Sequence, residues 1–332
     1  MATVREIAKL AGVSPSTVSR VLNDTAPVGE KARNKVLSAI HRLNGQQKNS
    51  SGAFANRTIG IIIPSASGAN LAGHPALYTI IIRFIEVLNE HQIGNTMILL
   101  DENTSLDKKE LAVDAYLAVG TSEAQEASLL PMLIDRKVPF MFINRQIEHK
   151  NVSFIHVDDE QATEIAVNYL LKLGHKKIAF VGGNKDYRNT KLRYSSYAKT
   201  LRAVGIEPDE KHVIYGEYSE LSGYEMIQKI ISLDNPPTAA CAASDSIAIG
   251  CMRYLKEQGY NLPQDFSIIG FGNIEAAEYV TPSLTTISQN SDDMGRIAGN
   301  ALIQMLNNPT ICRQEILIRS ELVVRGSCTE NK

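Results

Sequence analysis

The chain has 332 residues, 44% of them hydrophobic and 21% charged, with a net charge of −2; at roughly 100–200 residues per domain this predicts two domains and room for a small third. These proportions exclude a disordered chain, the longest apolar stretch (residues 58–63) is too short to span a bilayer, and the charged start, with Arg5, Glu6 and Lys9, lacks a secretory apolar run, which points to the cytoplasm. Cys241, Cys251, Cys312 and Cys328 are spaced by 10, 61 and 16, matching neither a metal pattern nor a disulfide framework.

Charge is unevenly spread. Through Arg57, nine basic residues face three acidic ones, whereas the remainder holds 25 against 33. A basic head on an acidic body points to different partners, with nucleic acid suited to the head. Thr3-Val4-Arg5-Glu6 has the form of a capping box, and Ile7, Ala8, Leu10 and Ala11 follow at helical spacing. Gly12 can take the left-handed conformation of a sharp stop. Ser14 then reads as a second N-cap with Pro15 at the first helical position, and Val18, Val21 and Leu22 form the inner face of helix two. A third amphipathic helix reads from 30 to 43. Two helices joined by so short a turn cross steeply; small Ala8 and apolar Ile7, Ala11, Val13, Val18 and Val21 fill the wedge, which is the pattern of a helix-turn-helix. A generic three-helix bundle is the bland alternative. The outer face of helix two carries Ser16, Thr17, Ser19, Arg20 and Asn23, short hydroxyls and one guanidinium suited to phosphate and base-edge contact.

VREIAKLAGVSPSTVSRVLN resembles the DNA-reading segment of the LacI/GalR family of bacterial transcription regulators. That resemblance implies that helix two enters the major groove. Arg20 would contact guanine and Pro15 and Ser16 would tune base preference. Thr3, Ser14, Thr17, Ser19 and Asn23 would hold phosphates. A homodimer on a near-palindromic operator follows from the same likeness.

Residues 1–44 thus form the expected DNA-binding domain, and the polar stretch 45–57 reads as a linker. Relatives carry a hinge helix here with a leucine wedge for the minor groove. This stretch is shorter, has poor helix formers in Ser50, Ser51 and Gly52, and offers Phe54 as its large apolar side chain. Either Phe54 is the wedge or the hinge is flexible or differently packed. From 58 to 332 strand-like runs (59–63, 96–100, 116–119, 140–143, 154–157, 177–181, 213–215, 239–242, 267–269) alternate with helical patterns (78–91, 124–136, 160–173, 191–204, 222–233, 246–258). This alternation implies doubly wound parallel sheets. Two sheets of five or six strands fit better than one of ten, divided near 157–159. In such sheets ligands bind beyond the carboxyl ends of the strands; Ser65, Asn144, Asp158, Tyr218, Ser244, Asp245, Gly272 and Asn273 fall there.

GHKKIAFVGG (174–183), KLRYSSY (191–197), AASDSIAIG (242–250), LPQDFSIIGFGN (262–273), TPSLTTISQ (281–289) and ELVVRGS (321–327) resemble the same family's effector-binding body. The implied fold is an all-α helix-turn-helix head on an α/β body like periplasmic binding proteins: two subdomains, three chain crossings and a ligand cleft. The likeness puts effector contacts on Tyr78, Asn144, Arg193, Tyr218, Ser244 and Gln289, a set suited to a hydroxyl-rich ligand, since Arg193 offers a rigid donor fork and Tyr218 an apolar ring face. Relatives usually carry an acid where this chain has Gly272. The short hinge, loosely similar to lactose- and galactose-type regulators, leans the ligand toward a galactoside. With Lys332 so close to the last motif, no extra tetramerising helix is expected.

Enzyme signatures fail on inspection. Gly270-x-Gly272-x-x-Glu275 puts a carboxylate where a dinucleotide fingerprint needs glycine, Gly120-Thr121-Ser122-Glu123-Ala124 lacks the last glycine of a nucleophile elbow, and His74, His156 and His175 are isolated. No catalytic residue, cofactor or metal is expected. The expected function is a ligand-controlled repressor; a sugar-binding sensor or transport-type receptor without a transcriptional role is the alternative.

Overall fold

The computed structural model describes residues 4–15, 17, 18, 21, 29, 32, 35, 36, 56–64, 75–100, 113–144, 147, 149, 151–308 and 313–331. Two compact units divide the chain: residues 1–57 with 89–93, and residues 58–88 with 94–332.

In the head, α1 (Val4–Ala11) stops at Gly12, whose φ of +62° is the left-handed value that favours glycine. The Val13 amide donates back to the Ala8 carbonyl at 3.1 Å. Ser14 caps the next helical segment, its Oγ accepting from the Thr17 amide at 3.1 Å; residues 15, 17, 18 and 21 are helical. Ala8, Ala11, Val18 and Val36 are buried together with Val13 and Val21 packed on them. This is the wedge expected of a short-turn crossing.

The body has two six-stranded sheets. The first is ordered β11-β5-β4-β3-β1-β2, with β1 (Thr58–Pro64), β2 (Gly94–Leu100), β3 (Ala115–Val119), β4 (Phe140–Ile143), β5 (Ser153–Val157) and β11 (Glu315–Ile318) all parallel. The second is ordered β12-β10-β9-β8-β6-β7 and comprises β6 (Ile178–Gly182), β7 (Val213–Tyr215), β8 (Ala239–Ala242), β9 (Ser267–Gly272), β10 (Thr285–Ser288) and β12 (Glu321–Val323), parallel except for the β10–β12 pair. The helices are α2 (Pro75–Glu90), α3 (Glu123–Asp135), α4 (Asp159–Lys172), α5 (Arg188–Ala203), α6 (Glu220–Ile231), α7 (Asp245–Glu257), α8 (Ala276–Tyr279) and α9 (Ser291–Asn307). Burial of β3, β6, β8, β9 and β10 along their whole length is what a parallel sheet covered on both faces requires.

The chain crosses between the two lobes three times. Asp158 marks the first crossing, its Oδ1 capping α4 by accepting from the Gln161 amide at 2.9 Å, and α4 packs on β8, β10 and β12. After β10 the chain returns, because α9 packs on β4 and β5; β11 then joins the first sheet and β12 the second.

Every strand and helix expected in the body is present. Among the described residues, six elements escaped the sequence patterns: β10, β11, β12, α8, α9 and the single 3-10 turn Glu210–His212. Helix α9 escaped because Gly295 and Gly299 weaken a helical reading. Both have a tertiary reason: a Cβ at Gly295 would lie 2.3 Å from the Ile80 carbonyl oxygen, and one at Gly299 would lie 2.9 Å from Val87. The glycines let α9 approach α2. Strand β10 escaped because its threonines read as polar, yet all four residues are buried.

Candidate functional site

A cavity whose space, open mouth included, is about 800 Å³ lies between the carboxyl ends of the two sheets. One lobe contributes Pro75, Ala76 and Leu77 from the start of α2, Gly120 and Thr121 after β3, and Asn144 after β4. The other contributes Tyr187, Asn189 and Arg193 around the start of α5, Tyr218 after β7, Ala243 to Ser246 after β8, Phe271 and Ile274, and Gln289 after β10.

Arg193 is 4% exposed. Its Nε donates to Asp159 Oδ1 at 2.7 Å, its Nη1 donates to the Ala243 carbonyl, and the guanidinium lies 3.5 Å from the centroid of the Phe271 ring. Burial opposes its charge, but Asp159, by charge and hydrogen bond, together with the neighbouring Tyr218 and Cys241 offsets burial, and the pKa is raised on balance, so the group stays cationic. Only Nη2 remains without a partner among the described residues. The Tyr218 hydroxyl bonds Thr190 Oγ1 at 2.7 Å, and its ring stacks with Tyr187, centroids 6.2 Å apart. That ring fits because position 183 is glycine: a Cβ there would lie 2.1 Å from it. Ser244 caps α7, its Oγ accepting from the Ile247 amide at 3.2 Å. Asn144 holds a left-handed φ of +59°, tolerated by its side chain. The side-chain amides of Asn144 and Gln289 make no hydrogen bond among the described residues, although Gln289 is 5% exposed. Both amides are therefore free to meet a ligand in the cavity.

Asp245 is the cavity's buried carboxyl, 1% exposed. Oδ1 accepts from the Thr286 hydroxyl and Oδ2 from the Ile274 amide at 2.8 Å. Burial pushes its pKa up to about 6 against these hydrogen bonds and the charge of Arg325. The glycines of the failed dinucleotide pattern serve this carboxyl: a Cβ on Gly270 would lie 2.2 Å from Asp245 Oδ1. Gly272 has φ +135°, and a Cβ there would lie 3.3 Å from Asp245 Oδ2. An acid at 272 would suit neither this backbone nor its neighbour.

Five of the six expected effector residues therefore come together: Asn144, Arg193, Tyr218, Ser244 and Gln289. Tyr78 does not line the cavity and is 54% exposed. Helix α2 begins three residues before the expected start, so Pro75, Ala76 and Leu77 face the cavity and the ~100° step per residue turns Tyr78 away. Of the strand-end residues, Asp158 is a helix cap and Asn273 accepts from Arg325 Nη2 at 2.8 Å; Ser65 lies outside the described residues. Tyr187 and Asn189 were missed because they sit at a helix start, Tyr187 as N-cap and Asn189 in the first turn, rather than at a strand end. The expected DNA-facing residues Ser14, Pro15 and Thr17 sit at the start of the second helical segment, Ser14 and Pro15 exposed. Thr3, Ser16, Ser19, Arg20, Asn23 and Phe54 lie outside the described residues.

His175 is a core residue, bonded to Thr238, Ser267 and the Thr329 carbonyl. Among the described residues no cluster of His, Cys, Asp or Glu could hold a metal ion, and no helix is long and apolar enough to cross a membrane.

Residues 3–45 match the pattern described as bacterial regulatory proteins of the lacI family, and residues 167–328 match a periplasmic binding protein-like domain. The transcriptional regulator RegA of Clostridium saccharobutylicum is 31% identical over 341 residues, covering 98% of this chain and 99% of RegA. The chain belongs to the lacI family. Another lacI-type relative, the probable repressor ExuR of Bacillus subtilis, is 27% identical over 331 residues, with 98% of each covered. Among solved structures, a CelR–cellobiose complex matches with a TM-score of 0.73 at 24% identity, covering 98% of this chain and 100% of that one. The lac repressor dimer bound to operator and the anti-inducer ONPF matches with a TM-score of 0.71 at 25% identity, covering 99% of each. The relatives named are transcriptional regulators rather than enzymes, which removes the receptor-only alternative for this lacI-family chain.

Proposed function

We propose that the chain is a homodimeric repressor whose grip on operator DNA is set by a small hydroxylated ligand held between the two lobes of its body. The observation that carries this reading is the set of unpaired polar groups on the cavity wall: Arg193 Nη2 and the amides of Asn144 and Gln289. These offer both donors and acceptors to a polyol, while the Tyr187–Tyr218 stack offers an apolar face to a ring. The likeness to a regulator solved with cellobiose favours a sugar. In the head, the segment capped by Ser14 lies in the major groove, Arg20 reads guanine, Pro15 and Ser16 tune base preference, and Thr3, Ser14, Thr17, Ser19 and Asn23 hold phosphates. Phe54 is the candidate minor-groove wedge.

The ligand acts by changing the angle between the lobes, to the extent that it binds one arrangement more tightly than the other. A thermal-shift screen across sugars, sugar phosphates and nucleosides, followed by gel shifts on the chain's own upstream DNA, tests it. A stabilising sugar that alters retention of a near-palindromic duplex is the expected result; no preference for any such duplex over random competitor sinks the reading.

A further inference from the structure

The cavity has a mouth, and two charged side chains meet across it. Lys191 Nζ lies 3.2 and 3.3 Å from the two carboxylate oxygens of Glu123. Glu123 is the first residue of α3, two positions after Thr121 on one lip; Lys191 lies in α5, midway between Asn189 and Arg193 on the other. The residues belong to different lobes, 68 positions apart in the chain.

Helix electrostatics explain half of this arrangement and leave the other half open. An acid at the start of α3 is favoured by the positive end of that helix. A lysine within the first turns of α5 is disfavoured by the same effect, and the N-cap Tyr187 supplies no side-chain hydrogen bond to soften it. What Lys191 gains there is Glu123. The pair exists only while the lips stand at this separation, since a rigid rotation of the lobes carries α3 away from α5.

We propose that Lys191 and Glu123 form an electrostatic latch across the cleft mouth, which holds the lobes in the closed arrangement before any ligand is bound. By raising the closed fraction of the free protein, the latch sets the apparent ligand affinity without touching the ligand, because apparent affinity scales with the population of the binding-competent form. Both side chains are about half exposed, 53% and 47%, so the bias is modest, about two- to fivefold in the closed-to-open ratio, and falls with added salt. The latch rests on the two-lobed cleft of the proposed function but not on the identity of its ligand.

The test uses the full chain free of DNA and sugar, so failure to find a ligand leaves it intact. Spin labels coupled to p-acetylphenylalanine at Ala127 and Ser195, exposed residues one turn beyond each member of the pair, report the mouth distance by pulsed electron resonance. Glu123→Lys and Lys191→Glu should each move population to longer distances, the exchange Glu123→Lys/Lys191→Glu should restore the parent distribution, and 1 M NaCl should move the parent toward the single variants. Glu123→Gln and Lys191→Gln provide milder versions should a reversal impair folding. Single variants that match the parent, or an exchange that fails to restore it, overturn the latch.

Discussion

Gln289 separates recognition from stability. Its side chain is 5% exposed, lies on the cavity wall and makes no hydrogen bond among the described residues. Its amide faces the cavity and is not among the side-chain polar atoms sealed from solvent without a partner, so the free chain pays no full desolvation penalty for it. Gln289→Ala removes one buried methylene, about 0.8 kcal/mol, together with a carboxamide that has no hydrogen bond among the described residues to lose. Urea denaturation of the free chain should therefore register a loss of about 1 kcal/mol or less. The same substitution deletes a ligand hydrogen bond of about 0.5–1.5 kcal/mol, or about two- to tenfold in Kd by calorimetry with the sugar the screen returns. Arg193→Ala contrasts with it: Asp159, whose side chain is 13% exposed, is left as an unpaired buried charge, which costs about 3–5 kcal/mol. Loss of ligand response in that variant therefore mixes contact with folding. A Gln289→Ala chain destabilised by more than ~2 kcal/mol, beyond what a lost hydrogen bond explains, or one binding as tightly as its parent, refutes the assignment.

Two buried groups give stability opposite dependences on pH. Burial holds the His175 imidazole below its usual 6.5, so as pH falls through 6.5 the unfolded chain takes up a proton that the folded chain refuses, and stability declines. Asp245, lifted from 3.8 to about 6, binds its proton first in the folded chain, so stability rises as pH falls between those values. Asp245→Asn should steepen the acid loss in that window and His175→Asn should flatten it, read from urea midpoints against pH; unchanged slopes would remove both assignments. Gly295→Ala should destabilise by about 1–3 kcal/mol through the clash with Ile80, despite a helix-propensity gain of about 1 kcal/mol, and a more stable variant would contradict the close α2–α9 approach. In selection assays Arg20→Ala should relax base preference by about 1–3 kcal/mol at one operator position, whereas a uniform loss across sequences would make Arg20 a phosphate clamp.

Local chemistry accounts for how much was readable in advance. Gly12, Ser14 and the small wedge residues act within a few positions of one another, so the head's turn was legible residue by residue. The alternation of β-branched runs with helical spacing likewise placed nine strands and six helices, and the rule that ligands sit beyond strand ends pointed toward Asn144, Tyr218 and Ser244. Tyr78 falls outside the cavity lining because which way a helical residue faces depends on how the helix packs, which a linear pattern does not carry.

From its order of residues alone, this chain declares a basic helical head and an alternating α/β body, since each rests on spacing along the backbone, while its motifs resemble those of a family of regulators. Folding settles what depends on partners far apart in the chain. Gly295 is glycine because Ile80 lies against it. Asp245 is a buried carboxyl because Thr286 and Ile274 meet it, and Lys191 faces Glu123 only because two lobes converge. None of these contacts has a period that a linear pattern could carry.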